Sequence, residues 1–267
     1  MKKRIMATPL PCLFLSLALS CIVSDTAALA QVKGAVVQTW NYDPTHNPPL
    51  VTVKIVNNSH KDITAFNIAI KETYANGRVL QHEMLEELVG KIINFKQVEG
   101  TAYEASFRKL YGDGVFHAGT VWDEKSPVKP GLTDYQAVID TVVYIDGTAE
   151  TTNNDAFGRV ISERKAALAT RKMTIQIIKA ALADPNDPDS SRTAAQKMRD
   201  QAAVSRHSQQ LQLDPVVFES TADEIKIVSS RNPFNKREAL KQLADKEDAE
   251  LSILSVHAAL VKTGGPQ

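Results

Sequence analysis

The chain has 267 residues, 43% of them hydrophobic and 23% charged, with 31 Lys/Arg against 31 Asp/Glu. A formal net charge of zero excludes the strong basic excess with which nucleic-acid binders neutralise phosphates. This length suffices for one or two domains with their own core, so enzyme, binding module and structural component all stay open.

Lys2, Lys3 and Arg4 form a basic start, Pro9 to Val23 is nearly uninterrupted apolar sequence, and Ala28-Leu29-Ala30 places small residues before Gln31. This is the three-part pattern of a secretory signal, too short and wrongly flanked for a lasting membrane helix. Residues 1–30 are therefore expected to be a signal peptide and the mature protein to be periplasmic or extracellular. Lipidation at Cys21 is the weaker reading, since Ala18 stands where a lipobox normally has leucine; an uncleaved anchor is another. Cleavage after Ala30 removes Cys12 and Cys21, the two cysteines, and with them any disulfide, thiolate metal site or thiol nucleophile. No later run approaches the roughly 18 apolar residues of a membrane span.

Residues 31–150 carry 11 Lys/Arg against 15 Asp/Glu and read as β-rich. Val32 to Trp40 is a first strand, closed by the Pro- and Asn-rich loop 41–49. Val51, Val53 and Ile55 alternate with Thr52, Lys54 and Val56, and Phe66, Ile68 and Ile70 alternate with polar or small residues, so both runs predict half-buried strands. Asn76-Gly77 predicts a hairpin turn before Val79 to Glu83, because both central residues need positive φ. Residues 84–115 form an irregular excursion, with a strand expected over Leu88–Phe95 and a helix over Thr101–Tyr111 stopped by Gly112. An excursion of this length is functional, mobile or a cover for a sheet edge. Phe116 to Trp122 predicts a further strand.

Asp134 to Arg164 joins the two parts. Its strand carries Ala137, Ile139, Val143 and Ile145 on one face and Val138, Val142 and Tyr144 on the other. Apolar residues on both faces predict cover on both sides, by a second sheet and by the helix that follows. The runs VTVKIVNNSHKDITAFNIAIKETYANGRVL and YQAVIDTVVYIDGT resemble the immunoglobulin-like or fibronectin-type-III-like modules of bacterial secreted proteins. The resemblance spans most of residues 32–150 and lies in pattern alone, without a family motif. It implies an antiparallel β-sandwich and a binding or spacer role; a fold by itself assigns no chemistry.

Residues 151–267 carry 17 Lys/Arg against 15 Asp/Glu and read as helical. Thr152 with Asp155 three residues on suggests a capping box, opening a helix to Ala183 with Ile161, Leu168, Ile175 and Leu182 every seven residues. Arg164 and Arg171 edge that stripe. They are the candidate binding residues, for an anion or an acidic partner, with structural pairing as the competing and favoured reading. Residues 184–190 alternate acids with prolines, yet lack the glycine and distal glutamate of a calcium loop, so a rigid joint is expected. Further helices are expected over Ser191–Leu213, from the Asp214-Pro215 cap to about Val228, and from an Asn235 cap along Leu240, Leu243, Leu251, Leu254, Ala258 and Val261 to Gly264-Gly265.

His82 and Glu86 have the i,i+4 spacing of paired metal ligands, but His82 ends a predicted strand and no HExxH is present. Asp140, among apolar neighbours, is expected at an edge or paired, with Arg164 a possible partner. Asn57-Asn58-Ser59 matches a glycosylation acceptor. No nucleophile elbow, SxxK or phosphate-cradling loop occurs. The expected architecture is α+β: signal peptide 1–30, an antiparallel Ig-like β-sandwich 31–150 with the 84–115 excursion, and a helical hairpin or small bundle 151–267 packing on it. The expected function is an exported binding, adhesion or envelope-scaffold protein, without metal or cofactor, partnering a protein or itself through its helices and not nucleic acid. The alternative is an envelope-polymer hydrolase with its site between sandwich, excursion and helices.

Overall fold

The structure, a computed structural model, describes residues 30–184, 186–187, 189–207, 213–232 and 234–262, with the side chains of Leu110, Tyr111, Val261 and Lys262 left out. The expected signal segment before Ala30, both cysteines, the prolines at 185, 188 and 233 and the Gly264-Gly265 stop lie outside the described residues. The chain is α+β, with antiparallel sheets first and helices after. One sheet has the order β1-β2-β5, from Ala35–Asp43, Leu50–Asn57 and Val121–Pro127. The other has the order β4-β3-β6-β7-β8, with β3 Ile63–Tyr74, β4 Val79–Glu87, β6 Leu132–Tyr144, β7 Thr148–Thr151 and β8 Val261–Lys262. The sheets share one core, to which β2 gives Val51, Val53 and Ile55, β3 gives Phe66, Ile68 and Ile70, and β6 gives Tyr135, Ile139, Val142 and Tyr144.

β6 corrects the expected faces. Ile68 pairs with Ile139 and Asn67 with Thr141, so Asp140 is an extra residue and the register shifts there. A bulge of one residue exchanges the faces of everything after it. Ile139 before the bulge and Val142 and Tyr144 after it all enter the inter-sheet core. Val143 turns instead to the outer face, where it meets Ala65, Ala149, Phe157 and Val160. The strand is covered on both sides as expected, but Val143 holds the helix side, not Val138, Val142 and Tyr144.

The excursion is helical. Leu88–Phe95 does not add a strand: α1 spans Val89–Val98 and buries Val89, Ile92, Ile93 and Phe95, whose three- and four-residue spacing is that of one helix face. Short α2, Glu104–Tyr111, ends at Gly112 with φ 68°, a positive φ that suits glycine and the stop expected there, but Tyr103 stays exposed. Gly114 lets the chain pass against α1, since a Cβ would lie 2.3 Å from the Ile92 nitrogen. The strand expected over Phe116–Trp122 begins only at Val121, because a turn with Gly119 at φ 72° intervenes; Phe116 forms an isolated bridge to Ile63. Asn57 is no acceptor for a glycan: its Nδ2 is buried and donates to the Lys61 and Phe116 carbonyls, each at 2.9 Å.

Four helices follow: α3 Asn154–Ala183, α4 Ser190–His207, α5 Pro215–Arg231 and α6 Lys236–His257. Asn153, not Thr152, caps α3, its side chain accepting the Asp155 and Ala156 amides; Thr152 Oγ1 is turned to the Ala30 and Asp140 carbonyls. Asp214 caps α5 with Pro215 at the first turn, whereas Asn235 precedes α6 without a side-chain cap. Ile178, Met198, Phe218 and Leu240, one from each helix, fill a common core. The chain then returns to the sheet as β8, two residues parallel to β7. No described helix is long and apolar enough to cross a membrane.

Candidate functional site

The buried stripe of α3 is not the expected heptad row. Of that row Ile175 is buried, along with Phe157, Val160, Arg164, Thr174, Ile178 and Ala181, while Ile161, Leu168 and Leu182 are only half-buried. Arg164 therefore sits in the middle of the stripe and not at its edge. It is 3% exposed, and a cation held that deep needs a partner and a full set of acceptors. Glu87, the last residue of β4, takes a fork: Arg164 Nε donates to Oε2 at 2.9 Å and Nη2 to Oε1 at 3.0 Å. Nη1 donates to the His257 carbonyl at 3.0 Å, and Nη2 also to the Thr64 carbonyl and hydroxyl at 3.3 and 3.1 Å. Arg164 thus ties together β3, β4, α3 and the end of α6. Asp140 is not its partner: that carboxylate accepts from Asn67 Nδ2 and Asn153 Nδ2, each at 2.9 Å.

Two turns along α3, Arg171 reaches α6. It pairs with Glu247 and, at 2.5 Å, with Glu250. Both glutamates are almost fully buried. Burial pushes each carboxyl above its ordinary range, and the Arg171 guanidinium pulls each the other way. Gln97 of α1 donates to Glu250, which draws the excursion into the same network. The His257 imidazole is pushed below 6.5 by burial and then by Arg164, and its Nδ1 has no hydrogen-bond partner among the described residues.

Arg164 and Arg171 line one cavity of about 640 Å³, between the end of β4, α1, α3, the start of α5 and α6. Val89, Ile93, Ala167, Val217 and Leu254 form apolar walls; Glu87, Glu163 and Asp214 bring the acids. The two arginines predicted from the sequence are brought together, yet their guanidinia are committed to Glu87, Glu247 and Glu250, so neither is free to hold an incoming anion. Glu87 is committed as well, since Oε1 also accepts the Val89 amide at 3.0 Å. Asp214 is held as the N-cap of α5, its Oδ1 accepting the Val216 amide at 2.8 Å, where the helix end offsets its charge. The carboxylate left over is Glu163. Its residue is exposed at the rim of the cavity; partial desolvation and then the neighbouring Glu87 push its carboxyl above the usual 4.5, with Arg159 pulling against them.

Glu163 went unnoticed as a site residue because one acid among the basic residues of α3 reads as ordinary surface. Its one legible mark is its position beside Arg164. The His82–Glu86 spacing makes no site: both lie on β4, where four residues span about 13 Å, and Glu86 pairs with Lys91 at 3.3 Å. Among the described residues no group of three or more His, Cys, Asp and Glu is placed to hold a metal.

The raised Glu163 carboxyl predicts a pH effect. Below 4.5 the carboxyl is protonated in folded and unfolded chains alike. Above it the folded chain keeps the proton longer, so this group costs the wild type stability as pH rises through that window. Glu163→Gln does not titrate. It is expected to melt above the wild type at about pH 7 and level with it below about pH 4; a gap that stays constant between the two would contradict the assignment.

No protein-family model matches the chain, and no curated protein does. A solved structure of a hypothetical protein from Peptoclostridium difficile 630 is similar over 47% of this chain and 90% of its own, at 10% identity and a TM-score of 0.30, too distant to carry an argument.

Proposed function

We propose that the chain is an exported binding protein that takes a small ligand, or a short segment of a partner, into the cavity between sheets and helices. The observation that carries this reading is an apolar-walled cavity of about 640 Å³ whose uncommitted charge is the Glu163 carboxylate. That volume lies within the usual range of ligand pockets, and apolar walls with few polar groups are their usual lining. The complementary ligand has an apolar body and a cationic or N–H-donating end.

Titration calorimetry with n-hexylamine and n-hexanoate at equal ionic strength tests it. Saturable binding of the amine, weakened at least tenfold in Glu163→Gln, is the expected result. No saturable binding of the amine, or equal binding of the two, would remove the reading.

The immunoglobulin-like identity of the sheets belongs to the same proposal. Strand order supports it: with the first seven strands lettered A, B, C, C′, E, F and G, and no strand D among the described residues, the sheets read A-B-E and C′-C-F-G with β8 added beside G, which keeps the C-F-G set of the immunoglobulin sandwich. Export rests on the basic start, apolar run and small residues before Gln31. Docking of a protein or a second copy on the helices is supported by Val204, Val216, Ile227 and Val256, all exposed. Light scattering that stays monomeric across a concentration series removes the second copy.

The hydrolase reading has one observation in its favour, two glutamates in unlike settings at one cavity. The commitment of Glu87 to Arg164 and to the Val89 amide weighs against it, because a base or nucleophile needs a free oxygen. Release of reducing ends from purified cell-wall polymer, lost in Glu163→Gln, would favour hydrolysis over binding.

A further inference from the structure

A second concavity, of about 400 Å³, lies in the helical half, away from the cavity that Glu163 lines. Arg192 and Arg199 of α4, Lys226 of α5 and Lys236 of α6 line it, against the single acid Asp189. Asp189 is within 3.4 Å of Arg192 and 3.6 Å of Lys236, and Arg199 also meets Asp223 at 3.3 Å. Four cations against Asp189, with Asp223 beside Arg199, leave this groove with a net positive lining.

Two further features point to an anion. Ser191 and Lys236 belong to the first turns of α4 and α6, so two helices direct their positive ends at the groove. α5 contributes its last turn and hence a carbonyl end, which opposes them. Ser229 supplies the independent sign. Its residue is 9% exposed, it lines the groove, and its Oγ has no hydrogen-bond partner. A buried hydroxyl without a partner is costly, and helical serines ordinarily turn back to a carbonyl of the preceding turn, as Ser230 does to Ile227 at 2.8 Å. Lys226 makes no hydrogen bond or ion pair among the described residues, so its ammonium is available in the groove; the Ser229 Oγ is closed off from solvent and meets a ligand only after its side chain turns.

We propose that this groove binds a phosphate-bearing ligand. A phosphoryl group presents several acceptor oxygens and suits the Lys226 ammonium together with the forked donors of Arg192 and Arg199, whose pairs with Asp189 and Asp223, unlike the buried pairs of Arg164 and Arg171, are solvent-exposed and weak. Its volume, within the pocket range, leaves room for an organic group on the phosphate. The phosphate can come from a soluble ester or from an anionic lipid headgroup; Phe234, fully exposed between α5 and α6, stands two residues before Lys236.

The test uses the full chain with inorganic phosphate, glycerol 3-phosphate, and phosphatidylcholine vesicles with and without phosphatidylglycerol, all at one ionic strength. The expected result is saturable binding of at least one phosphate probe, weakened tenfold or more by the double variant Lys226→Gln/Arg192→Gln and several-fold by Ser229→Ala. Binding of the soluble esters unaffected by Phe234→Ser identifies a soluble ligand. Binding to phosphatidylglycerol vesicles alone, lost in Phe234→Ser, identifies the headgroup. No binding of any phosphate probe, or binding that Lys226→Gln/Arg192→Gln leaves unchanged, overturns the proposal. Hexylamine binding is unaffected by these variants, so the two sites fail or hold separately.

Discussion

Replacing Arg164 with alanine is expected to lower the unfolding free energy by about 3–5 kcal/mol, the usual cost of removing one partner of a buried ion pair. The loss has two sources. Glu87, whose side chain is 23% exposed, is left without its fork of 2.9 and 3.0 Å. The Thr64 and His257 carbonyls lose a donor in the same place, and an unmade buried hydrogen bond costs about 1–3 kcal/mol by itself. The urea midpoint, with the slope unchanged, measures the effect. Arg164→Met combined with Glu87→Leu removes both charges, so it is expected to recover a substantial part of the loss. A cost below about 1 kcal/mol for Arg164→Ala, the level of an exposed pair, would show that Arg164 does not hold the sheets to the helices.

Cutting the chain after residue 150 is the second large effect. The fragment 31–150 loses α3, and with it Phe157 and Val160, which cover Ala65, Val143 and Ala149 on the outer face of the second sheet. It also loses β8, the parallel partner of β7. An apolar sheet face beside an unpaired edge is an aggregation surface. The fragment is therefore expected to be insoluble or to unfold without a cooperative transition. A soluble fragment 31–150 with a sharp transition would mean that the sheets stand alone. In the whole chain, Val160→Asp places a charge at a position that is 0% exposed and is expected to act in the same direction.

Much of this arrangement is legible in the residues because it depends on local chemistry. Alternation over Val51–Ile55, the Gly112 stop and the Asp214-Pro215 cap each act within a few residues and occur as expected; a hairpin turn also forms at Asn76-Gly77, though only Gly77 takes a positive φ, and the Phe66–Ile70 strand forms but is buried on both faces at Ala65 and Asn67. What escaped depends on distant partners. The Asp140 bulge exists because Asn67 and Asn153 receive its carboxylate, and nothing in a period-two pattern marks where such a bulge falls. Once it is present, Val142 and Val143 exchange faces. α1 looked like a strand because Leu88–Phe95 is a short apolar run, which period alone does not assign to strand or helix; its packing with Leu254 and Ala167 settles it as helix.

The candidate site shows the same division. Arg164 and Arg171 were visible as charges on the apolar register of α3, and pairing was the favoured reading of them. Their partners were not visible, since Glu87 lies 77 residues from Arg164 and Glu247 lies 76 from Arg171. The buried stripe shifted toward the arginines because Glu87, Glu247 and Glu250 wait on the facing elements. Without those acids, Ile161, Leu168 and Leu182 would be the natural core row. Glu163 stands out only because Arg164 is held by Glu87 and Arg171 by Glu247 and Glu250.

The central claim is that sheets and helices are joined through Arg164, Arg171 and the Val143–Val160 contact into one cooperative unit, with the cavity at the join. The two tryptophans, Trp40 on β1 and Trp122 on β5, make it directly measurable. Trp40 lies against Tyr135, and Trp122 against Phe66 and Phe116, so tryptophan fluorescence reports the sheets, while circular dichroism at about 222 nm is dominated by α-helices such as α3 to α6. In equilibrium urea unfolding of the full chain the two signals are predicted to superimpose on one transition. Two separated transitions, one seen by fluorescence and the other by circular dichroism, would contradict the account.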